Sequence, residues 1–354
     1  MGFTTPSYGL DDLFARIVRG DIQLPDFQRN YVWDEDHIRS LLVTVLRGYP
    51  IGALMALDTR NEPMRFRPRP LAGAPDTGRS PGLLILDGQQ RLTSLYHAFS
   101  PDGWVETLNF RGEAVRRAFF IDVAAAVSED IVPDEAIFAV DEQGQVTSHF
   151  GPDIVGNLLD EDVHIGHQCL PIAGMLSDDG TRKLFQLSAA EVRDGEDISS
   201  IVADFHSRVF FPLAGYDVPM IRLARETARA GIGPIFAQAN AAGVHMDVFD
   251  LLTAVFSLED ENFHLAHDWA RVEKQLRKYP ALDGIGRTQF LSAVSLYSTV
   301  NKGHAGGQRE DILTLTLSEY QASVEKPRIT FQEVAEFLKQ RCIYTVEQVP
   351  YSAQ

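Results

Sequence analysis

The chain has 354 residues, a formal net charge of −17, and a composition that is 45% hydrophobic, 10% aromatic and 23% charged. That profile is globular and can bury a core, and its length calls for two domains or one domain with a large helical extension. The acidity excludes a general nucleic-acid binder, whose affinity rests on phosphate contacts, and no apolar run is long enough for a membrane helix.

In chain order, Leu10–Val18 predicts an opening helix ended by Gly20. Residues Ile22–Trp33 read as extended, and Pro25 argues for an edge or loop rather than a central strand. Asp34 is the expected N-cap of a helix whose apolar face is Ile38, Leu41, Leu42, Val45 and Leu46, stopped by Gly48 and Pro50. A short strand is expected at Ala53–Leu57, and a loop over Arg60–Ser80, which is rich in Pro, Gly and Arg. Leu83–Leu86 is a four-residue apolar strand, Asp87-Gly88 a tight turn, and Leu92, Leu95 and Phe99 follow at helical spacing. Phe119–Val123 reads as another strand, residues 125–200 as an insertion of mixed structure, Ile198–Phe210 as a helix and Val218–Leu223 as a returning strand. After Gly233 the texture is helical, with candidates at Ile235–Ala241, Val248–Phe256, Phe263–Tyr279, Phe290–Val300, Ile312–Tyr320 and Phe331–Arg341. The fold class is therefore α+β: a mixed domain over residues 1–225, with its insertion at 125–200, followed by a helical domain over 226–354.

Cys169 and Cys342 are far apart and lack zinc-ligand neighbours. The N-terminus, Met1-Gly2-Phe3-Thr4-Thr5-Pro6, has neither the basic nor the apolar region of a signal peptide. Both features point to reduced thiols in the cytoplasm and to no membrane association.

Charge is uneven along the chain. From Arg60 to Arg117 nine arginines face six acids, whereas the stretch from Glu129 to Asp197 is densely acidic. Anion binding belongs to the first third, and the acidic middle reads as solvated surface. The Asp87-Gly88-Gln89-Gln90-Arg91 turn is the strongest anion candidate. An isolated Asp-Gly would most simply be good turn chemistry on the surface. Here it joins a buried strand to a helix start, where unpaired N–H groups and the helix dipole favour a negative charge. Gly88 permits close backbone approach, Arg91 supplies a guanidinium fork for phosphate, Asp87 suits a magnesium ion, and Gln89 or Gln90 could orient a water.

A second Gln-Arg pair, Gln28-Arg29 within Phe27–Trp33, could close over the same anion. Tyr31 or Trp33 could stack on a base, although Trp33 reads more simply as core. The stretch Ile235–Asp247 reads as a helix corner with Asn240 near its end and Gly243 as C-cap. There is no Walker A pattern, and Gly231-Ile232-Gly233 lacks the third glycine of a dinucleotide fingerprint.

Leu24-Pro25-Asp26-Phe27-Gln28-Arg29-Asn30-Tyr31-Val32-Trp33, then Leu86-Asp87-Gly88-Gln89-Gln90-Arg91-Leu92-Thr93, then Phe236, Asn240 and Gly243 before a helix, together resemble one family. It is the DGQQR family typified by the N-terminal domain of GmrSD-type modification-dependent restriction systems. The motifs follow the family's order and span most of residues 10–260; Ala239 departs from the larger apolar residue usual before the asparagine. The resemblance implies a ParB/sulfiredoxin-like fold for the N-terminal part and a nucleoside-triphosphate site, for GTP or another nucleotide, with magnesium. It implies Gln28, Arg29, Gly88, Arg91, Thr93 and Asn240 as binding residues, and Asp87, Gln89, Gln90 and Arg91 as catalytic ones. The implied setting is a nucleotide-hydrolysing regulator in antiviral defence. The implied partners are modified DNA and a His-Asn-His nuclease domain in cis or in trans. No His-Asn-His or Glu-x-Lys nuclease motif occurs in these residues, and His264, His267 and His304 have no matching partners. The expectation is a nuclease-less form or a fragment that ends inside its helical domain. The other reading of the same turn is a clamp on a DNA phosphate without hydrolysis.

Overall fold

The computed structural model describes residues 3–26, 28, 31, 33–59, 67–147, 151–189, 198–223, 248–260, 262–300, 303 and 305–348. Phe27, Arg29, Asn30 and Val32, the start of the 60–80 loop, and the whole Ile235–Asp247 corner with Asn240 lie outside the described residues.

The fold is α+β. The strands are β1 (Phe3–Thr4), β2 (Ser7–Gly9), β3 (Ile22–Pro25), β4 (Leu54–Asp58), β5 (Pro68–Arg69), β6 (Leu83–Asp87), β7 (Val105–Leu108), β8 (Ala114–Asp122), β9 (Ile137–Val140), β10 (Cys169–Pro171) and β11 (Asp217–Leu223). The larger sheet runs β1-β11-β4-β6-β3-β5, with β2 also on β11; a smaller sheet pairs β8 with β7, β9 and β10. In the larger sheet β11 is parallel to β4, β4 is antiparallel to β6, and β6 is parallel to β3.

Four consecutive residues of β6, Leu83, Leu84, Ile85 and Leu86, are all buried, as are Leu54, Met55, Ala56 and Leu57 of β4. Successive strand residues point to opposite faces, so both faces of this sheet centre are covered. Each such Leu or Ile contributes about 1.5–3 kcal/mol relative to exposure. The segment around Pro25 differs from expectation. Ile22–Pro25 is a fully buried strand between β6 and β5, not an edge. Pro25 is tolerated because it is the last residue of β3 and faces Pro68 at a pair that needs no N–H; the next N–H, that of Asp26, donates to the Arg67 carbonyl at 2.9 Å.

Helices α1 (Leu10–Val18), α2 (Glu35–Leu46) and α3 (Gln89–Phe99) match their sequence patterns. Asp34 caps α2 by accepting a 2.9 Å hydrogen bond from the His37 backbone N–H. The 125–200 region holds α4 (Val123–Val127), β9, α5 (Glu161–Gly166), β10 and α6 (Asp178–Ala189). It is followed by α7 (Ile198–Phe205), which runs through a π-helical turn, His206–Phe210, into α8 (Phe211–Ala214).

The C-terminal part is helical: α9 (Val248–Glu259), α10 (Leu265–Leu276), α11 (Arg287–Val300), α12 (Arg309–Leu313), α13 (Leu317–Ser323) and α14 (Glu325–Gln340). The helix expected over Ile312–Tyr320 is split. Thr316 opens α13 with a capping box, its hydroxyl taking the Glu319 N–H while Glu319 takes the Thr316 N–H. Pro327 falls in the first turn of α14, where an N–H has no helical partner. One apolar cluster runs from Leu10 to Met220 and another from Val248 to Ala335. No helix among the described residues is long and apolar enough to cross a membrane.

Candidate functional site

The site forms where β6 turns into α3. The β4–β6 register slips between Met55 and Ala56: Ala56 faces Ile85 while Met55 faces Asp87, leaving Leu86 as an extra residue. Such a bulge interrupts the ladder and re-aims the residues beside it. The β3 partner pairs only with Leu83 and Leu84, so it does not reach this end of β6. The Leu86 carbonyl is instead taken by the Gln28 side chain, whose Nε2 donates to it at 2.7 Å. Tertiary structure thus joins the two Gln-Arg motifs that are nearly sixty residues apart in sequence. Arg69 supports the same segment by donating to the Gln28 carbonyl at 2.9 Å.

Gly88 occupies the left-handed region, φ 88°, as the N-cap of α3. A Cβ here would lie 2.3 Å from the Leu54 side chain and 3.2 Å from Arg91 Nη2. The position therefore needs glycine for both conformation and space. Gln89 and Gln90 follow as the first helical residues and are only 5% and 7% exposed.

Arg91 lies in the first turn of α3, where the helix dipole disfavours a cation. Three protein acceptors hold it there. Nη1 donates to the Ile51 carbonyl at 2.6 Å, and Nη2 donates to the Ala53 carbonyl at 3.3 Å and to Asp87 Oδ2 at 3.0 Å. These bonds use three of the guanidinium's five donors. Gly52, between the two carbonyls, has φ 81°, and a Cβ on it would come within 2.8 Å of Nη1. The expectation that Arg91 points an unencumbered fork at phosphate needs this refinement: both terminal nitrogens already rest on the protein.

Thr93 is fully buried, and its hydroxyl makes no hydrogen bond. One residue on, Ser94 donates to the Gln90 carbonyl and pairs with the Tyr31 hydroxyl at 2.8 Å. Burial pushes the Tyr31 phenol up to about 12, which outweighs the lowering by the Ser94 hydrogen bond, so the phenol stays protonated. His97 sits beside the Tyr31 ring and holds the Ala72 carbonyl through Nε2 at 2.6 Å. Trp33 packs against the core, and its carbonyl accepts from Thr107. Sequence reasoning missed the Ile51–Ala53 carbonyls, Ser94 and His97. The one local signal was Gly52, a glycine placed directly before a strand.

Three arginines of the arginine-rich stretch are held in ion pairs. Besides Arg91 with Asp87, Arg117 pairs with Glu35 at 2.8 Å in a mostly buried bridge, and Arg116 pairs with Glu142 at 3.1 Å.

The family model described as the GmrSD restriction endonuclease N-terminal domain matches residues 10–257. The chain belongs to that family. All of the described site residues lie inside the match, so the bulged end of β6, the Gly88 turn and the Arg91 cradle are features of a GmrSD-type N-terminal domain. The family ties the chain to restriction systems. An uncharacterised protein of Methanocaldococcus jannaschii is 36% identical over 135 residues, which cover 36% of this chain. The aligned part spans only 22% of that protein's length.

Proposed function

We propose that this chain is a nucleotide-binding, nucleotide-hydrolysing regulatory module of a modification-dependent restriction system acting against foreign DNA. The observation that carries the reading is the strand–Gly88–helix turn with a guanidinium fixed at its mouth. Backbone N–H groups of the first α3 turn and the Arg91 charge together suit a phosphate chain. Gln28, Arg29, Gly88, Arg91, Thr93 and Asn240 are the proposed binding residues, and Gln89 or Gln90 the proposed orienter of the attacking water. Nucleotide occupancy would then control a nuclease, in cis or in trans, and its access to modified DNA.

The DNA-phosphate clamp is the weaker reading, because Arg116 and Arg117, which an extended DNA backbone would need beyond the turn, are already matched by carboxylates, and the net charge of −17 repels a long polyanion more than a single nucleotide. The test is binding of labelled GTP, ATP, CTP and UTP to the native chain and to Arg91→Ala, with Arg91→Lys as the charge-retaining control. Native binding of at least one nucleotide, weakened at least about tenfold by either substitution, supports the proposal. Absence of native binding, or unchanged binding in Arg91→Ala, overturns it. Salt-steep DNA affinity without any nucleotide effect would favour the clamp.

A further inference from the structure

The magnesium ion expected at Asp87 does not fit the residues that surround it. Its Oδ2 lies 3.0 Å from Arg91 Nη2, and both side chains are mostly buried, 26% and 21% exposed. Magnesium demands an octahedral shell with oxygens at about 2.0–2.1 Å. A dication on Oδ2 would be forced against a guanidinium that is tethered by two further bonds, to the carbonyls of Ile51 and Ala53, and among the described residues no group of three acid, histidine or cysteine side chains stands together to hold a metal ion through Oδ1. Room for a retreat is also restricted, since the guanidinium is bordered by the backbones of Gly52 and Gly88, at which even a Cβ would come within 2.8 Å and 3.2 Å of it.

We infer that Asp87 is the positioning carboxylate of Arg91 and not a magnesium ligand, so that the site takes a polyphosphate anion with no resident metal. The inference rests on the nucleotide reading above and deepens it. Its electrostatic logic is local. A cation in the first helical turn opposes the dipole, and the carboxylate immediately before the N-cap offsets that cost while orienting the planar group. The Ile51 and Ala53 carbonyls complete the orientation from the segment just before β4, and Gly52 supplies the clearance that lets them approach. Any divalent cation is then carried in on the phosphate oxygens, and the protein's own acid does not hold it beforehand.

Two measurements test this. The first titrates Mn2+, a paramagnetic stand-in for magnesium, into the nucleotide-free native chain and Asp87→Asn, following free Mn2+ by electron paramagnetic resonance. The expected result is the same weak uptake in both; a native site that is lost in Asp87→Asn overturns the inference. It needs no nucleotide, so it is decisive even if the nucleotide reading fails. The second compares the affinity for the best-bound labelled triphosphate in EDTA and in magnesium. The native chain is expected to bind within about threefold in the two buffers, and Asp87→Asn to weaken binding by about tenfold in both, as loss of a charge-assisted contact predicts. Native binding that collapses in EDTA, with Asp87→Asn affecting only the magnesium arm, overturns it. Native chain that binds no triphosphate in either buffer overturns the nucleotide reading and leaves the Mn2+ result to decide the role of Asp87. If Asp87→Asn does not fold, the native chain alone decides: weak Mn2+ uptake and EDTA-insensitive binding support the inference, and tight uptake or EDTA-sensitive binding overturns it.

Discussion

Gln28 Nε2 donates to the Leu86 carbonyl at 2.7 Å, so a side chain from one motif completes the backbone pairing that the bulge at the other motif leaves open. Gln28→Leu removes that donor while keeping similar bulk. The expected cost is about 1 kcal/mol of unfolding free energy, the usual net worth of such a bond, with lower triphosphate affinity. Urea unfolding and calorimetric titration check the two effects, and no change in either would separate the motifs functionally.

Three glycines with positive φ should respond differently to alanine. Gly48, φ 70°, has nothing within 4 Å of a new Cβ, so Gly48→Ala should cost only about 1–2 kcal/mol of backbone strain. Gly88→Ala adds a 2.3 Å clash with Leu54 and should be clearly more destabilising. Gly52→Ala pushes on Arg91 Nη1 and should weaken triphosphate binding beyond its effect on stability. Thermal unfolding and nucleotide affinity, measured together on the three variants, rank them.

The two thiols should differ sharply in reactivity. Cys169 is buried and its thiol is pushed far up, by burial first and by the Asp122 charge second, whereas Cys342 is exposed. A thiol reagent at pH 8 should label one cysteine per native chain, at Cys342, and two after denaturation. Peptide mapping of the labelled site is the check; rapid native labelling at Cys169 would contradict its burial.

His164 should make stability fall in mild acid. Burial pulls its imidazole below the usual range, reinforced by Lys183 and opposed by the bond to the Leu158 carbonyl and by Glu161. Because the folded pKa is depressed, the unfolded chain binds the proton first. The contribution is complete above about pH 6.5, the unfolded value, and is lost as pH falls from there through the folded pKa. His164→Asn can still donate to the Leu158 carbonyl but cannot titrate. Its unfolding free energy should therefore depend less on pH below about 6.5 than that of the native chain. Parallel slopes would sink the assignment.

Much of this protein is legible in its sequence. Helix α1, the Asp34 cap, the β6 strand and the Gly88 turn follow from local chemistry: apolar periodicity, a carboxylate able to take a backbone N–H, and a residue without a Cβ. The motif order alone is specific enough to indicate the family. Local reasoning fails where partners come from elsewhere in the chain. Pro25 argues against an internal strand, because nothing nearby says that Pro68 will meet it at a pair where no N–H is needed. Thr316 and Glu319 do spell a capping box, but the apolar spacing across Ile312–Tyr320 masks the break.

The residue types at the turn, and hence its suitability for an anion, are determined by the sequence itself: Asp87, Gly88 and Arg91 lie within five residues of chain, and their turn and helix preferences are short-range. Only the tertiary structure decides what Arg91 touches. The Ile51 and Ala53 carbonyls reach it because β4 pairs with β6 through a bulge, and strand register depends on packing across the whole sheet. That register adds two carbonyl acceptors to the local ion pair with Asp87, and so fixes the guanidinium in place.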